Sequence, residues 1–378
     1  MDIKVITDEQ SFAGLQNTWQ NLDNKTNLSP FSEYTWNKLW WQYFKSDKKL
    51  YVMVMSENGQ TLGIAPFYLN KKKALAFLGT GNSDYLDFII QPGQEAKFLE
   101  ALFIFLKNTR KQWDQIELVD IPETSVNYIF IQKLLKSRTL SGKILPTMIC
   151  PYLKMEGSYQ DLLNSRSSNF RYDLKRKLKR ASKNGEVSFE IATQLFDLTE
   201  LIDLYEKRWA KKDTNATIRS KAGQGFLKAA INSWATNNIL KVPLLKLGGK
   251  VIAFCIGFVK GGRFYYYIPS IDPAYHQLSP GKLLIEKIIQ AFPQLQINEI
   301  DFMKGEERYK LEWSKTFRKN YRILINNTRL KSRIVAYANY TFYKFRNWAR
   351  TTKFLRWVRF NLIGFIKNLF KKKKNAEQ

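Results

Sequence analysis

Asp301-Phe302-Met303-Lys304-Gly305-Glu306-Glu307-Arg308-Tyr309-Lys310-Leu311-Glu312-Trp313 is the stretch whose reading decides the fold. The apolar run that leads into it (Ile297, Ile300, Phe302) predicts a buried strand. Gly305 breaks the pattern, and a charged, helix-forming segment follows. A strand that ends in a carboxylate and turns through glycine into a helix is an α/β connection. It gathers Asp301, Glu306, Glu307, Tyr309 and Lys310 at one sheet edge, where ligands of α/β sheets bind. The same charges suit an ordinary solvated strand–helix connection, and local chemistry by itself leans to that plainer reading.

Upstream, strands are predicted over 240–247, 251–259 and 263–268, with turns at Gly248-Gly249-Lys250 and Gly261-Gly262. Pro280-Gly281 then opens a helix over 282–292, and 297–302 is the strand that ends at Asp301. A helix over 306–315 and a strand over 321–325 complete the series. The first half runs the same way. Its strands are 50–56, 62–69 and 74–78, with Asn58-Gly59 at the first hairpin. Pro92-Gly93 opens a helix to Lys107, followed by a strand over 116–119 and a helix over 126–135. Matching order and matching helix-opening dipeptides predict two copies of one α/β unit, against chance likeness of hairpins. Before the first copy, Trp36, Trp40, Tyr43 and Phe44 share one helical face and read as core.

The loop 275–282 gives the second copy its specific chemistry. Pro280 near the first helical position and small residues around it leave backbone N–H groups and the positive helix end open to an anion. Ser279 and Gly281 can cradle a pyrophosphate there, with Lys282 adding a cation. Lys310 is a further candidate for a phosphate or a substrate anion. Gln91-Pro92-Gly93 lacks a following cation, so the first copy is expected to have lost nucleotide binding.

The 378 residues suit two domains, and 44% hydrophobic with 15% aromatic residues is ample for a core. A net charge of +28 predicts attraction to polyanions such as nucleic acid, an anionic membrane or phosphorylated ligands. Cys150 and Cys255 lie in or beside apolar runs, which favours reduced structural thiols. The opening residues lack a signal-peptide pattern, so a cytoplasmic location is expected. His276 is the single histidine, which excludes a histidine-based zinc cluster, and no metal site is expected. Cys255 with His276 is a poor nucleophilic pair, because an apolar strand disfavours a thiolate.

Between the copies, Phe170, Leu174 and Leu178 form a thin apolar stripe on an otherwise basic helix that includes Arg171. Such a helix reads as a solvated face or as a partner for an anion. Arg208-Trp209 reads equally as acceptor cleft and as core. From Thr328 to Lys374 there is no acid, and this stretch supplies half of the +28. Phe354, Leu355, Val358, Leu362, Phe365, Ile366 and Leu369 gather on one helical face, with Lys371 to Lys374 closing the run. Charge interrupts the segment too often for a bilayer span, so a helix lying in an anionic interface is expected. Packing on the second copy and RNA binding are the other readings of this tail.

Asp-Phe-x-x-Gly-x-x-x-Tyr-Lys-x-x-Trp over 301–313 resembles the closing signature of the CelD/BcsL-type branch of GNAT acyltransferases, which is similar to the Fem-type transferases. Pro30-Phe31, Trp36, Trp40-Trp41, Ser83-Asp84-Tyr85 and Asn169-Phe170-Arg171 resemble the same branch. In the loop 276–281 only Gly281 fully matches the GNAT phosphate-binding pattern.

The resemblance implies an α/β (α+β) fold of two tandem GNAT-like units with mixed, mostly antiparallel sheets, followed by the basic amphipathic tail. The expected divisions are 1–155 (degenerate unit), 156–327 (catalytic unit) and 328–378 (tail). It implies acetyl-CoA or another acyl-CoA as cosubstrate and a sugar, polysaccharide or lipid-linked acceptor in envelope synthesis. Tyr309 is then the proton donor, and Asp301 positions the acceptor or acts as base, with Glu307 or Glu306 as substitute. Asp84, Tyr85, Arg171, Arg208 and Trp209 are the expected acceptor contacts. The expected place is the inner membrane surface, reached through the tail. Two rivals stay open: a Fem-like transferase using aminoacyl-tRNA, and a non-catalytic membrane-surface partner of polysaccharide synthesis.

Overall fold

The computed structural model describes residues 1–26, 28–193, 201 and 220–329, with 332, 334, 337, 338 and 340–345 beyond them. The first unit runs β1 (Asp2–Ile6), α1 (Glu9–Ala13), α2 (Gln16–Asp23), α3 (Tyr34–Phe44), β2 (Lys49–Glu57), β3 (Gln60–Leu69) and β4 (Ala74–Phe77). It continues with β5 (Ile89–Ile90), α4 (Glu95–Asn108), β6 (Gln115–Pro122), α5 (Val126–Lys136) and β7 (Gly142–Lys154). Helices α6 (Tyr159–Asn164) and α7 (Ser168–Ser182) connect the units. The second unit runs β8 (Val187–Ala192), α8 (Lys221–Thr236), β9 (Leu240–Leu247), β10 (Lys250–Lys260) and β11 (Arg263–Ile271). Next come α9 (Pro280–Gln290), α10 (Phe292–Leu295), β12 (Glu299–Asp301), α11 (Arg308–Trp313) and β13 (Thr316–Asn326). The two copies follow one repeated order of elements, the order expected of tandem GNAT-like units, although Pro280-Gly281 opens α9 whereas Pro92-Gly93 lies in the turn before α4.

The strands nonetheless make one sheet, where two units suggest one each. Its order is β1-β2-β3-β4-β6-β13-β7-β12-β11-β10-β9-β8, with β5 pairing β3. Each unit ends in a strand that crosses to the other: β13 lies between β6 and β7, and β7 lies between β13 and β12. The expected division at 155/156 therefore follows a strand that the second unit uses, and the division at 327/328 follows a strand that the first unit uses. Pairing is antiparallel except between β4 and β6 and between β11 and β12. Those are the two places where a helix, α4 or α9, supplies the crossover that parallel pairing needs.

One face of the sheet carries a core common to both units, built from α2, α3 and α8. Trp36 of α3 stacks on Trp234 of α8, with centroids 5.5 Å apart and planes 6° apart. The two helices approach so closely that a Cβ on Gly225 would lie 2.5 Å from the Tyr43 ring. The other face carries two separate cores, one under α4 and α5 and one under α7, α9 and α11.

Past Asn326 the described residues fold back on the sheet. Ser332 donates to Asp114 at 2.6 Å, Tyr343 donates to Glu117 at 2.8 Å, and the Arg322 guanidinium lies 3.9 Å from the Tyr343 ring centroid. The expected apolar face from Phe354 to Leu369 and the lysines 371–374 lie outside the described residues. No helix among the described residues is long and apolar enough to cross a membrane.

Candidate active site

Successive side chains of β11 alternate between faces. Tyr265 and Tyr267 enter the common core, while Phe264 and Tyr266 enter the core under α9. Parallel pairing to β12 lasts only from Arg263↔Glu299 to Tyr265↔Asp301, yet β11 continues to Ile271 along β10. Beyond Asp301 the two strands part. Gly305, at φ +136°, then turns the chain toward α11, and a Cβ there would collide with the Glu307 carboxylate.

A cavity of about 510 Å³ opens at this parting. Its walls are Tyr266, Pro269 and Ile271 of β11, Ser279 to Lys282 at the start of α9, Asp173 and Lys177 of α7, and Arg308, Tyr309 and Glu312 of α11. A volume between about 300 and 1,000 Å³ with apolar walls and a few convergent polar groups is typical of small-molecule sites. Ser279 adopts a left-handed conformation (φ 55°, ψ 51°), so the chain turns sharply into α9 and Pro280 starts the helix. No described residue accepts a hydrogen bond from the Gly281 N–H. A Cβ on Gly281 would meet nothing closer than Ile271, at 3.5 Å. The backbone at this helix start is therefore open to an anion.

The charges are arranged differently from the expectation. Lys282 is buried, and its ammonium lies 3.0 Å from Asp173, 3.4 Å from Glu312 and 4.2 Å from the Phe170 ring centroid. Its charge is committed to two carboxylates. Asp173 also takes Arg176 at 2.7 Å, and its carboxyl is held below the usual range by Arg176, then Lys282. The cations nearer the rim are Lys177, which donates to the Gln277 carbonyl, and Arg308, paired with Glu312 at 2.9 Å.

The structure thus brings Ser279, Gly281, Lys282 and Tyr309 together around one cavity. Asp301 is not among them. It is fully buried on the opposite side of the sheet, where it accepts from Tyr85 at 2.8 and 3.0 Å, from the Met303 N–H at 2.8 Å and from Arg318 at 3.2 Å. Burial outweighs Arg318 and pushes its carboxyl up to about 6. Lys310 is also buried away from the cavity, on the Lys304 carbonyl at 3.0 Å and Glu307 at 2.9 Å. Glu307 is held by that contact, and Glu306 is exposed. Asp84 accepts from the Lys304 N–H at 2.9 Å, so it and Tyr85 belong to a buried polar seam between the units. Arg171 caps α6, donating to the carbonyls of Leu163, Asn164 and Arg166. Arg208 and Trp209 lie outside the described residues.

Sequence reasoning passes over Lys177, Tyr266, Arg308 and Glu312 as cavity residues. Period-2 alternation along 263–271 is the usable signal for Tyr266. Nothing local marks Glu312 as a partner of Lys282. Among the described residues no trio of His, Cys, Asp or Glu is placed to hold a metal.

In the first unit the matching gap is filled. The loop 79–88 leaves β4 and ties to β6 through the Leu86 N–H on the Asp120 carbonyl at 3.1 Å, and β5 then rejoins β3. Gly79, at φ +84°, allows that departure, with Ser83 and Trp36 packed where a Cβ would stand.

Residues 168–311, which hold every cavity residue but Glu312, match the family model described as an acetyltransferase (GNAT) domain. The second unit is a GNAT-type acyltransferase unit. The whole chain is similar in fold to FemX, with TM-score 0.60 and 11% identity over 86% of this chain and 98% of that one. The L-PGS of Bacillus licheniformis gives TM-score 0.53 and 10% identity over 85% and 96% of the two chains. The C-terminal domain of a putative lysylphosphatidylglycerol synthetase from Agrobacterium fabrum gives 0.50 and 12% over 87% and 96%. At such identities the likeness is one of fold. No curated protein matches the chain in sequence.

Proposed function

We propose that this GNAT-type enzyme transfers an acyl group from acyl-CoA, in the first instance acetyl-CoA, to a sugar, polysaccharide or lipid-linked precursor at the inner membrane surface. The observation that carries the donor half is the single cavity uniting the open start of α9, the parting of β11 and β12, and Tyr309. Bound there, an acyl thioester supplies the activated acyl group. The start of α9 binds the pyrophosphate through the Gly281 N–H and the positive helix end, with Lys177 and Arg308 adding charge at the rim. Tyr309 lines the cavity beside them, and its hydroxyl delivers a proton to the departing sulfur. The acceptor half rests on the CelD/BcsL-type resemblance and on the basic tail. Cytoplasmic location and membrane attachment through that tail belong to the same proposal.

A second reading has its own observation. Helix α7 places Lys177 and Arg180 on Gln277 at the cavity margin and carries further bases along its exposed side. That surface suits a donor delivered on a polyanion, as in the Fem-like aminoacyl-tRNA reading. Calorimetric titration of the full chain with acetyl-CoA and, separately, with aminoacyl-tRNA decides between them. Saturable acetyl-CoA binding supports the first reading. Binding of aminoacyl-tRNA alone would move the assignment to the second.

A further inference from the structure

A smaller cavity of about 260 Å³ lies where the two units meet, at the end of the first unit that corresponds to the acyl site of the second. The loop 79–88 closes it toward the β4–β6 gap, through Tyr85, Leu86 and Asp87 in its wall. Two guanidinium groups face it, Arg263 from β11 and Arg318 from β13. Thr124 and Ser125, at the start of α5, form another part of the wall.

The cations are fixed in place before any ligand arrives. Arg318 lies 3.8 Å from the Tyr152 ring centroid and is held by Glu299 at 2.9 Å and Asp301 at 3.2 Å. Arg263 Nε lies 2.5 Å from the second oxygen of Glu299, and its Nη1 donates to Tyr265 at 3.1 Å. No described residue takes its Nη2. Asp87 is the one carboxylate in the wall among the described residues, and it is occupied by Ser125, Asn127 and the Phe88 N–H. The groups left for a ligand include donors, the Arg263 Nη2 and the Thr124 hydroxyl, beside the positive Arg318 guanidinium. Donors in that combination recognise phosphate oxygens.

We infer that this cavity binds the phosphoryl group of a small phosphorylated molecule, so that the first unit, its cofactor cleft filled, keeps a ligand site of its own. The phosphoryl group can come from a free sugar phosphate, from inorganic phosphate or from a phospholipid headgroup. None of these sources requires the acyl-CoA reading of the second unit.

The test is titration of the full-length protein, without acyl-CoA, against glucose 1-phosphate, inorganic phosphate, glucose and vesicles containing phosphatidic acid. Arg263→Gln removes the donor with a free nitrogen. Thr124→Glu puts a carboxylate on an exposed wall position and leaves the core untouched. Gly281→Glu, in the other cavity, is the control. Saturable binding of either phosphate, or of the vesicles alone, supports the inference if Arg263→Gln and Thr124→Glu each weaken it about 10-fold or more while Gly281→Glu does not. Which probe saturates identifies the source. Absence of binding to all phosphorylated probes, equal binding of glucose, or loss only in Gly281→Glu overturns it.

Discussion

Tyr309 reaches the acyl cavity from the first turn of α11, and one oxygen atom separates its proposed role from a packing role. Tyr309→Phe is expected to lower kcat by roughly 10²–10⁴-fold with KM nearly unchanged, the signature of a lost proton donor. Equal kcat in steady-state assays would return the residue to packing. Asp87 and Asp301 make a different prediction. Burial, opposed by hydrogen bonds at Asp87 and by Arg318 at Asp301, pushes each carboxyl up to about 6 from an ordinary 3.8. The folded state then keeps these protons to higher pH than the unfolded chain does. Their contribution to stability is greatest below about pH 4, declines as pH rises to about 6, and is flat above that. Asp87→Asn removes one such group. Its stability in urea, measured from pH 4 to 7, should fall less steeply with pH than wild type, by up to about 3 kcal/mol across the window. Parallel curves would show that Asp87 titrates normally. The sequence marks Asp301 as special but cannot tell which face of the sheet it takes. That side is fixed by Tyr85 and Arg318, far away or across a strand crossing in the chain.

At the level of single elements, α9 is the clearest test. Gly281 has room for a Cβ and no left-handed backbone, so Gly281→Glu should fold normally while its carboxylate occupies and repels the pyrophosphate position. Acetyl-CoA affinity by calorimetry should fall at least about 10-fold, the scale of one charge-assisted contact. An unchanged affinity would remove the cofactor from this helix. The helix is legible in the sequence because Pro280-Gly281 punctuates a strong apolar run. Strand β7 is not. Pro146 and Pro151 argue against a central strand, since each lacks a ladder donor. Here β7 lies between β12 and β13, with Tyr321 opposite Pro146, Phe317 opposite Pro151 and a register shift between Lys319 and Tyr321. Local sequence cannot anticipate a pairing supplied by residues about half a chain away. Strand β8, at one edge of the sheet, has a mostly half-buried pattern and gives too faint a period to be read.

For the molecule as a whole, the crossed strands bear on how independent the units are. Residues 1–155 alone lack β13 and leave the edges of β6 and β7 open. Residues 156–327 alone lack β7, the partner of both β12 and β13. Neither piece is expected to fold by itself, whereas mixing the two should restore the native circular dichroism spectrum. A well-folded 1–155 fragment would contradict this. The described start of the tail is packed on the sheet through Ser332 and Tyr343, so the proposed membrane attachment rests on residues past Phe345. A chain ending at Phe345 is expected to lose flotation with anionic liposomes, and high salt should release the full chain because the charge attraction reaches only about 8 Å. Equal flotation of the shortened chain would shift suspicion to α7.

The same crossing sets a timetable for synthesis on the ribosome. A nascent first unit has β1 to β7 outside the ribosome early, but the slot between β6 and β7 stays vacant until Thr316–Asn326 has left the exit tunnel. From the emergence of β7 until then the growing polypeptide presents two unsatisfied strand edges, the kind of surface that recruits chaperones or pairs with a neighbouring nascent chain. Protease resistance of stalled chains should appear abruptly once the final strand emerges, and not in two steps.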